Sequence, residues 1–339
     1  MRKWLLILLC LVISVSLTAC KDSKEILKDG KVDQAEASES VKKQKTYKYV
    51  FPLTGKQTNS DVTRRPVAVM VNNHEKARPQ SGLHQADIVY EVLAEGDITR
   101  FLAIFQSEVP KVIGPVRSAR DYFISLSEGY DALFVAHGYS PEAQHILESG
   151  SVDNLNGMKY DGTLFERADF RKPPHNSYIT SESIEKGAEM LSYPLQAKSE
   201  PLPFLKKEEV KRLQGDQANE ITVRYNSRES IVYSYDDKKN RYVRSMDGVP
   251  SMDRETETPI AVENVFVVEA QHITADSSGR RDIDLHSGGK ALLFQRGMVQ
   301  QISWKNENGR IVPDGGKWIP GKTWVNIVPS GMDKSVSME

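Results

Sequence analysis

The chain holds two cysteines, Cys10 and Cys20, and both fall within its first twenty residues. Arg2 and Lys3 precede an apolar run from Trp4 to Leu17, which closes on Leu17-Thr18-Ala19-Cys20. A short basic region, an apolar segment and small residues at its end have the form of a secretory signal. The run is shorter than the roughly 20 residues a bilayer span requires. A cut ahead of Cys20 removes residues 1–19 and leaves 320 of the 339. An exported domain could have used disulfides, but this one cannot. Its stability must come from hydrophobic core, which a chain of this length can build.

Leu17-Thr-Ala-Cys20 is similar to the bacterial lipobox, whose cysteine thiol is diacylated and whose chain is cut just before it. Cys20 is the expected lipidation site, a palmitate-bearing diacylglyceryl cysteine the expected anchor, and the outer face of the cytoplasmic membrane the expected location. With Cys20 occupied, cysteine nucleophiles and cysteine zinc sites are excluded. Residues 21–46 have no aromatic and alternate in charge, too little apolar surface to order themselves. Residues 20–46 therefore read as a tether, reaching roughly 25–30 Å if flexible. Losing Arg2 and Lys3 takes the formal charge from −1 to about −3, and nothing in that balance marks a nucleic-acid partner.

Residues 47–192 read as an α+β or α/β domain, a mixed sheet with flanking helices. Val67–Val71, Ile88–Leu93, Ile98–Phe105 and Asp131–Ala136 are β-rich runs of strand length. Gly96, between the second and third, signals a hairpin. With Glu95-Gly96 as its tip, or 94–97 as a four-residue loop, Glu91 faces Arg100. A carboxylate on an apolar face needs a partner, so this pair is either a structural ion pair or the floor of a site. Ser118 is the expected N-cap of a helix to about Gly129, placing Arg117 and Arg120 at its start. Arginine there opposes the helix dipole unless something negative is near. The two either form an anion site or pair with Asp121, Glu91 or Glu95. His137 lies where a strand hands over to a helix opened by Ser140-Pro141, the place where open α/β sheets bind ligands. Residues 150–178 are irregular and hold Arg167, His175 and Asn176, a donor-rich cluster. Ser181 is expected to cap a scaffold helix reaching Leu191.

Residues 193–217, with Pro194, Pro201 and Pro203, read as a linker. From 218 to 331 the pattern changes to short strands separated by turns, which indicates a mainly β domain, a sandwich or barrel; 332–339 remain as a tail. Asp276, Asp282, Asp284 and His286 match no ligand spacing and read as solvated loop charges, so neither a metal nor a cofactor is expected. Trp304, Trp318 and Trp324 read as core aromatics rather than as a sugar-stacking face. Gly-x-Ser-x-Gly, Walker A, Gly-x-Gly-x-x-Gly and His-Glu-x-x-His are absent.

Longer strings carry a resemblance. Val71-Asn-Asn73 with Arg78-Pro-Gln-Ser-Gly82, Ala86-Asp-Ile-Val-Tyr-Glu91 with Ile98-Thr-Arg100, Ile113-Gly-Pro-Val-Arg-Ser-Ala-Arg120 and Pro174-His-Asn176 form one group. Gly289-Lys-Ala-Leu-Leu-Phe294, Trp304 and Gly321-Lys-Thr-Trp324 form a second. Together they resemble the YerB-like bacterial lipoproteins of unknown function, from about Pro66 to Val328. The resemblance implies a two-part extracytoplasmic lipoprotein of Gram-positive type and supplies no activity.

Three functions remain open. The first is a binder of a polar or anionic envelope ligand, a wall polymer or peptide, through Asn72, Asn73, Arg78, Gln80, Arg117, Arg120, Arg167, His175 and Asn176. The second is a wall-directed hydrolase or transferase, with Glu91 or Glu95 as acid or base and His137 or His175 as proton shuttle. The third is an interaction scaffold for another envelope protein, its arginines neutralised internally.

Overall fold

The structure, a computed structural model, describes residues 46–227 and 229–339; the signal peptide, Cys20 and the tether to residue 45 lie outside the described residues. Four runs of the first part become strands because they present no polar face. Val67–Asn72 (β1), Ile88–Leu93 (β2), Thr99–Phe105 (β3) and Leu133–Ala136 (β4) are buried at every residue. Strands of this kind need cover on both sides.

The flanking elements of the first part are Asp121–Glu128 (α1), Pro141–Ser149 (α2), Asn154–Asn156 (β5) and Ser181–Met190 (α3). The second part is β-rich. It contributes Asp216–Gln217 (β6), Glu220–Val223 (β7), Ile231–Asp236 (β8), Arg241–Met246 (β9) and Asn264–Glu269 (β10). Gly289–Gln295 (β11), Met298–Glu307 (β12), Arg310–Asp314 (β13), Thr323–Val328 (β14) and Val336–Met338 (β15) follow.

One sheet runs through both parts, in the order β6-β12-β11-β10-β14-β2-β3-β1-β4-β5, with β13 on β12. It is mixed. β14 lies parallel to both β10 and β2, β3 is antiparallel to β2 and β1, and β4 is parallel to β1 and β5. Alternation along the strands makes two core layers. Val69, Val71, Phe101 and Ala103 share one with Val265, Val267 and Trp324. Met70, Leu102 and Ile104 share the other with Phe123 and Ile124 of α1 and with Phe266 and Val325. Each layer draws on both parts, at about 1.5–3 kcal/mol per large buried side chain.

A smaller sheet, with β7, β8 and β9 adjacent and β15 on β7, covers the first layer through Ile221, Ile231 and Tyr233. The stretch 193–217 is tied down along its length by Ala197 N–H to the Thr63 carbonyl (2.8 Å), Leu202 to Pro52 (3.0 Å) and Leu205 to Trp318 (2.8 Å). Residues 332–339 hold a helical turn, Met332–Ser335, and the last strand of the smaller sheet.

The hairpin register differs from the sequence expectation. Ala94 N–H donates to the Ile98 carbonyl at 2.9 Å, so the loop is Glu95-Gly96-Asp97, with Gly96 at φ 56°. Three-residue loops with a left-handed residue are a common hairpin solution, and an odd loop shifts the pairing by one. Glu91 opposes Phe101, and Arg100 opposes Val92. A one-residue shift exchanges faces, so Glu91 and Arg100 point to opposite sides. The predicted pair does not form.

Helix starts also move. α2 begins as expected, with Pro141 in its first turn and the Ser140 hydroxyl accepting from Ala143 N–H at 3.2 Å. α3 is capped by Thr180, one residue ahead of Ser181. α1 starts at Asp121 with Arg120 at the cap position, not at Ser118. Residues 117–119 are extended because Arg117 N–H bonds the Met70 carbonyl and Ala119 N–H the Gly138 carbonyl, each at 2.9 Å.

Candidate functional site

β1 and β2 end, and the antiparallel β3 begins, on one edge of the sheet, which is also where β4 hands over to His137. All thirteen candidate residues of the first part lie on or beside this edge, but they divide into three groups. Register explains part of the division: Asn72 opposes Arg100 on β3, whereas Asn73 turns to the side of Glu91 and Thr99.

The first group is closed on itself. The Glu91 side chain is 0 % exposed. Its Oε1 accepts from Thr99 Oγ1 (3.0 Å), Asn73 Nδ2 (3.3 Å) and Arg244 Nη2 (3.2 Å); its Oε2 accepts from Arg244 Nη2 (3.1 Å) and Trp324 Nε1 (3.0 Å). Arg244, on β9, also lies over the rings of Phe101 and Trp324, with its guanidinium carbon 5.4 and 4.9 Å from their centroids. Gln80 Nε2 donates to the Asn72 carbonyl (3.0 Å) and Asn73 Oδ1 (3.2 Å). Arg78 donates to the Asn73 carbonyl (3.0 Å) and pairs with Glu229 (2.8 Å) and Asp247 (3.2 Å). Every charge here except that of the nearby Glu75 has its opposite.

The second group joins Glu95, Arg100 and Arg120. Both arginines are buried and share the one carboxylate, Arg100 Nη2 at 2.5 Å from Oε2 and Arg120 Nη2 on Oε1. Arg100 Nη1 also donates to the Ser118 carbonyl at 2.7 Å. The carboxyl of Asp121, pushed up mainly by burial, accepts from its own amide and that of Tyr122. The α1 N-terminus thus supplies its own anion, and Arg120 is spent on Glu95. Arg117 alone of the two helix-start arginines stays available.

The third group surrounds Arg117. This half-buried guanidinium has no hydrogen-bond or ion-pair partner among the described residues. Burial, and then the neighbouring charge of Arg100, push its pKa down to about 10. Arg117 in turn lowers the pKa of His137 and of His175, for both of which burial is the first cause. Asn72 Nδ2 and His175 Nδ1 are 2.9 Å apart, and the His175 ring lies 4.5 Å from that of His74. Arg167 pairs with Asp161 through Nε (3.0 Å) and Nη2 (2.9 Å), reaches Asn176 Oδ1 (3.3 Å), and sits 2.8 Å from His137 Nε2.

Donor counting sets the tautomers. Arginine only donates, so His137 Nε2 accepts and its proton is on Nδ1, facing Ser177 Oγ at 2.7 Å. Asn72 Oδ1 accepts from His74 N–H at 3.0 Å, so Nδ2 donates to His175 Nδ1. His74 Nδ1 accepts from Lys76 N–H at 3.1 Å. His74 and His175 therefore present Nε2–H as a donor. His137 takes no proton from Ser177, so the pair is not an activated nucleophile.

His74, Asp161, Ser177 and Arg244 also belong to these groups, and no sequence pattern singles them out. Arg244 stands 153 positions from Glu91, and no local pattern joins them. Trp304, Trp318 and Trp324 are all buried core aromatics.

The sheet and its edge are those of a known family. A model described as "Protein of unknown function (DUF3048) N-terminal domain" matches residues 53–194, and its C-terminal companion matches 221–325. The chain belongs to this family. It is similar to "Putative lipoprotein YerB" of Bacillus subtilis (strain 168), 50% identical over 345 residues, which is 99% of this chain and 98% of the relative. It is likewise similar to the crystal structure of YerB protein from Bacillus subtilis, with a TM-score of 0.80 and 54% identity over 86% of this chain and 100% of that one.

Proposed function

We propose that the protein is an envelope lipoprotein, anchored through Cys20 on the outer face of the cytoplasmic membrane, that binds an anionic ligand at the Arg117 edge of its sheet. The lipoprotein name of its relative and the Leu17-Thr-Ala-Cys20 string support the anchor. One observation carries the ligand: Arg117 is held half-buried beside the cation Arg100, without a counter-ion among the described residues. A guanidinium kept partly out of water costs free energy unless an anion meets it. The Nε2–H groups of His74 and His175 are further donors for the same anion, beside an arginine suited to phosphate or carboxylate. The hydrolase reading is weaker, because Glu91 is sealed in five hydrogen bonds and His137 and His175 have their accepting nitrogens occupied.

Calorimetric titration of the full-length lipoprotein in detergent with inorganic phosphate, acetate and a glycerol-phosphate oligomer tests this. A charge-assisted contact of about 1.5–3 kcal/mol corresponds to a loss of roughly 10- to 100-fold in affinity for Arg117→Ala, with Arg117→Lys between. An anion that binds equally well to wild type and Arg117→Ala would place the site elsewhere.

A further inference from the structure

A second cavity lies beside the Arg117 edge, across the segment that follows β1. Asn72 and His74 engage His175, whereas Asn73 engages the Glu91 group and Glu75 lines the cavity with Arg78 and Arg244. Its volume is about 370 Å³, within the range of small-molecule sites. Pro79, Met246, Val249, Pro250 and Met252 give it an apolar wall, and Val249 remains 66% exposed. Arg78 is covered by Glu229 and Asp247, and Arg244 by Glu91. The carboxylate left over is Glu75, which is exposed and has no ion pair among the described residues. Of the charged side chains that line the cavity, Arg78 pairs with Asp247 and Arg244 with Glu91, so Glu75 is the one lining charge without an opposite among the described residues, as Arg117 is on its own side.

From this we infer a second binding site, selective for a primary ammonium on a short aliphatic stem, such as a lysine-type side chain of a peptide. The stem packs on the methionine, valine and proline surfaces, as long basic side chains do elsewhere. The ammonium meets the Glu75 carboxylate at the rim. An anion is repelled by that carboxylate, and an uncharged stem gains only the apolar contact. The site does not depend on Arg117.

The test uses the full-length lipoprotein in detergent and two matched probes, Nα-acetyl-lysine methylamide and Nα-acetyl-norleucine methylamide. The lysine probe is expected to bind at least fivefold more tightly than the norleucine probe. Glu75→Gln, at an exposed position, should bring the two affinities together, and Val249→Trp should weaken both by filling the mouth. Arg117→Ala should leave the lysine probe unchanged, so this result is separable from the fate of the anion site. Equal affinities in wild type, no binding of either probe, or a lysine preference that survives Glu75→Gln would each overturn the inference.

Discussion

Glu91 and Arg117 stand on the same edge of the sheet, and their surroundings are opposite. Glu91 is fully buried, and both its oxygens are taken by donors from β3, β9, β14 and the residue after β1. Arg117 is half-buried, and its neighbours are the cation Arg100 and two histidines whose pKa values are lowered. A buried charge with its opposite in place is a fastener. One without it is either a defect or a socket. The comparison teaches that the conspicuous carboxylate of the sequence is the fastener, joining the first part to β9 and β14 of the second, and the less conspicuous arginine is the socket.

The largest expected effect breaks the fastener. Arg244→Ala leaves the Glu91 carboxylate buried and unmatched, which costs about 3–5 kcal/mol, read as a lower urea midpoint. Replacing both members by methionine should cost less than either single change, because no charge is then stranded. A double variant at least as unstable as Arg244→Ala would show that the pair is worth more than its packing, and Glu91 would lose its place as a plain fastener.

Between the two extremes lies Glu95, partly exposed and shared by Arg100 and Arg120. Glu95→Gln should cost about 2 kcal/mol, and inorganic phosphate should return part of it by binding only the folded state. Loss without phosphate rescue would mean that the pair does not open onto an anion-accessible space.

Arg117→Ala should change stability by no more than about 0.5 kcal/mol, or raise it, because the variant removes a charge that lacks a partner. A thermal melt in anion-free buffer reads this directly. A loss of 2 kcal/mol or more would make Arg117 a second fastener and remove the contrast.

How much of this was legible beforehand follows from the range of the interactions. Val67–Val71 and Asp131–Ala136 announced strands because an unbroken apolar run has few other uses, and Ser140-Pro141 announced a helix through two adjacent residues. Gly96 announced a hairpin, yet a two-, three- or four-residue loop fits the same glycine, and that one-residue difference decides which face Glu91 takes. Arg120 and Arg117 look alike in the sequence because a cap at Ser118 starts α1 two residues ahead of the observed cap, Arg120. Glu91's true partners, Arg244 and Trp324, lie 153 and 233 positions away. Only the path of the sheet through both parts brings them in.

The smallest expected effect is a pH dependence, and its sign follows from the donors around the imidazoles. His137 and His175 have folded pKa values below their ordinary value of 6.5, burial being the first cause and the cations Arg167, for His137, and Arg117, for both, further ones. Protonating His137 would set a proton on Nε2 against Arg167 Nη2, and protonating His175 one on Nδ1 against Asn72 Nδ2. The unfolded chain then binds these protons more readily than the folded one, so stability present above about pH 6.5 is lost as pH falls toward the folded values. His272, lowered by burial, has the same sign. Asp87 and Asp121, raised by burial, have the opposite sign and act from the acid side. The difference between wild type and His137→Gln isolates one imidazole. Melts between pH 7.5 and 5.5 should show the wild-type midpoint falling further than the variant's. Arg117→Ala, by relieving both histidines, should also flatten the slope. Parallel slopes for all three proteins would place the histidines outside the field of Arg117 and remove them from the socket.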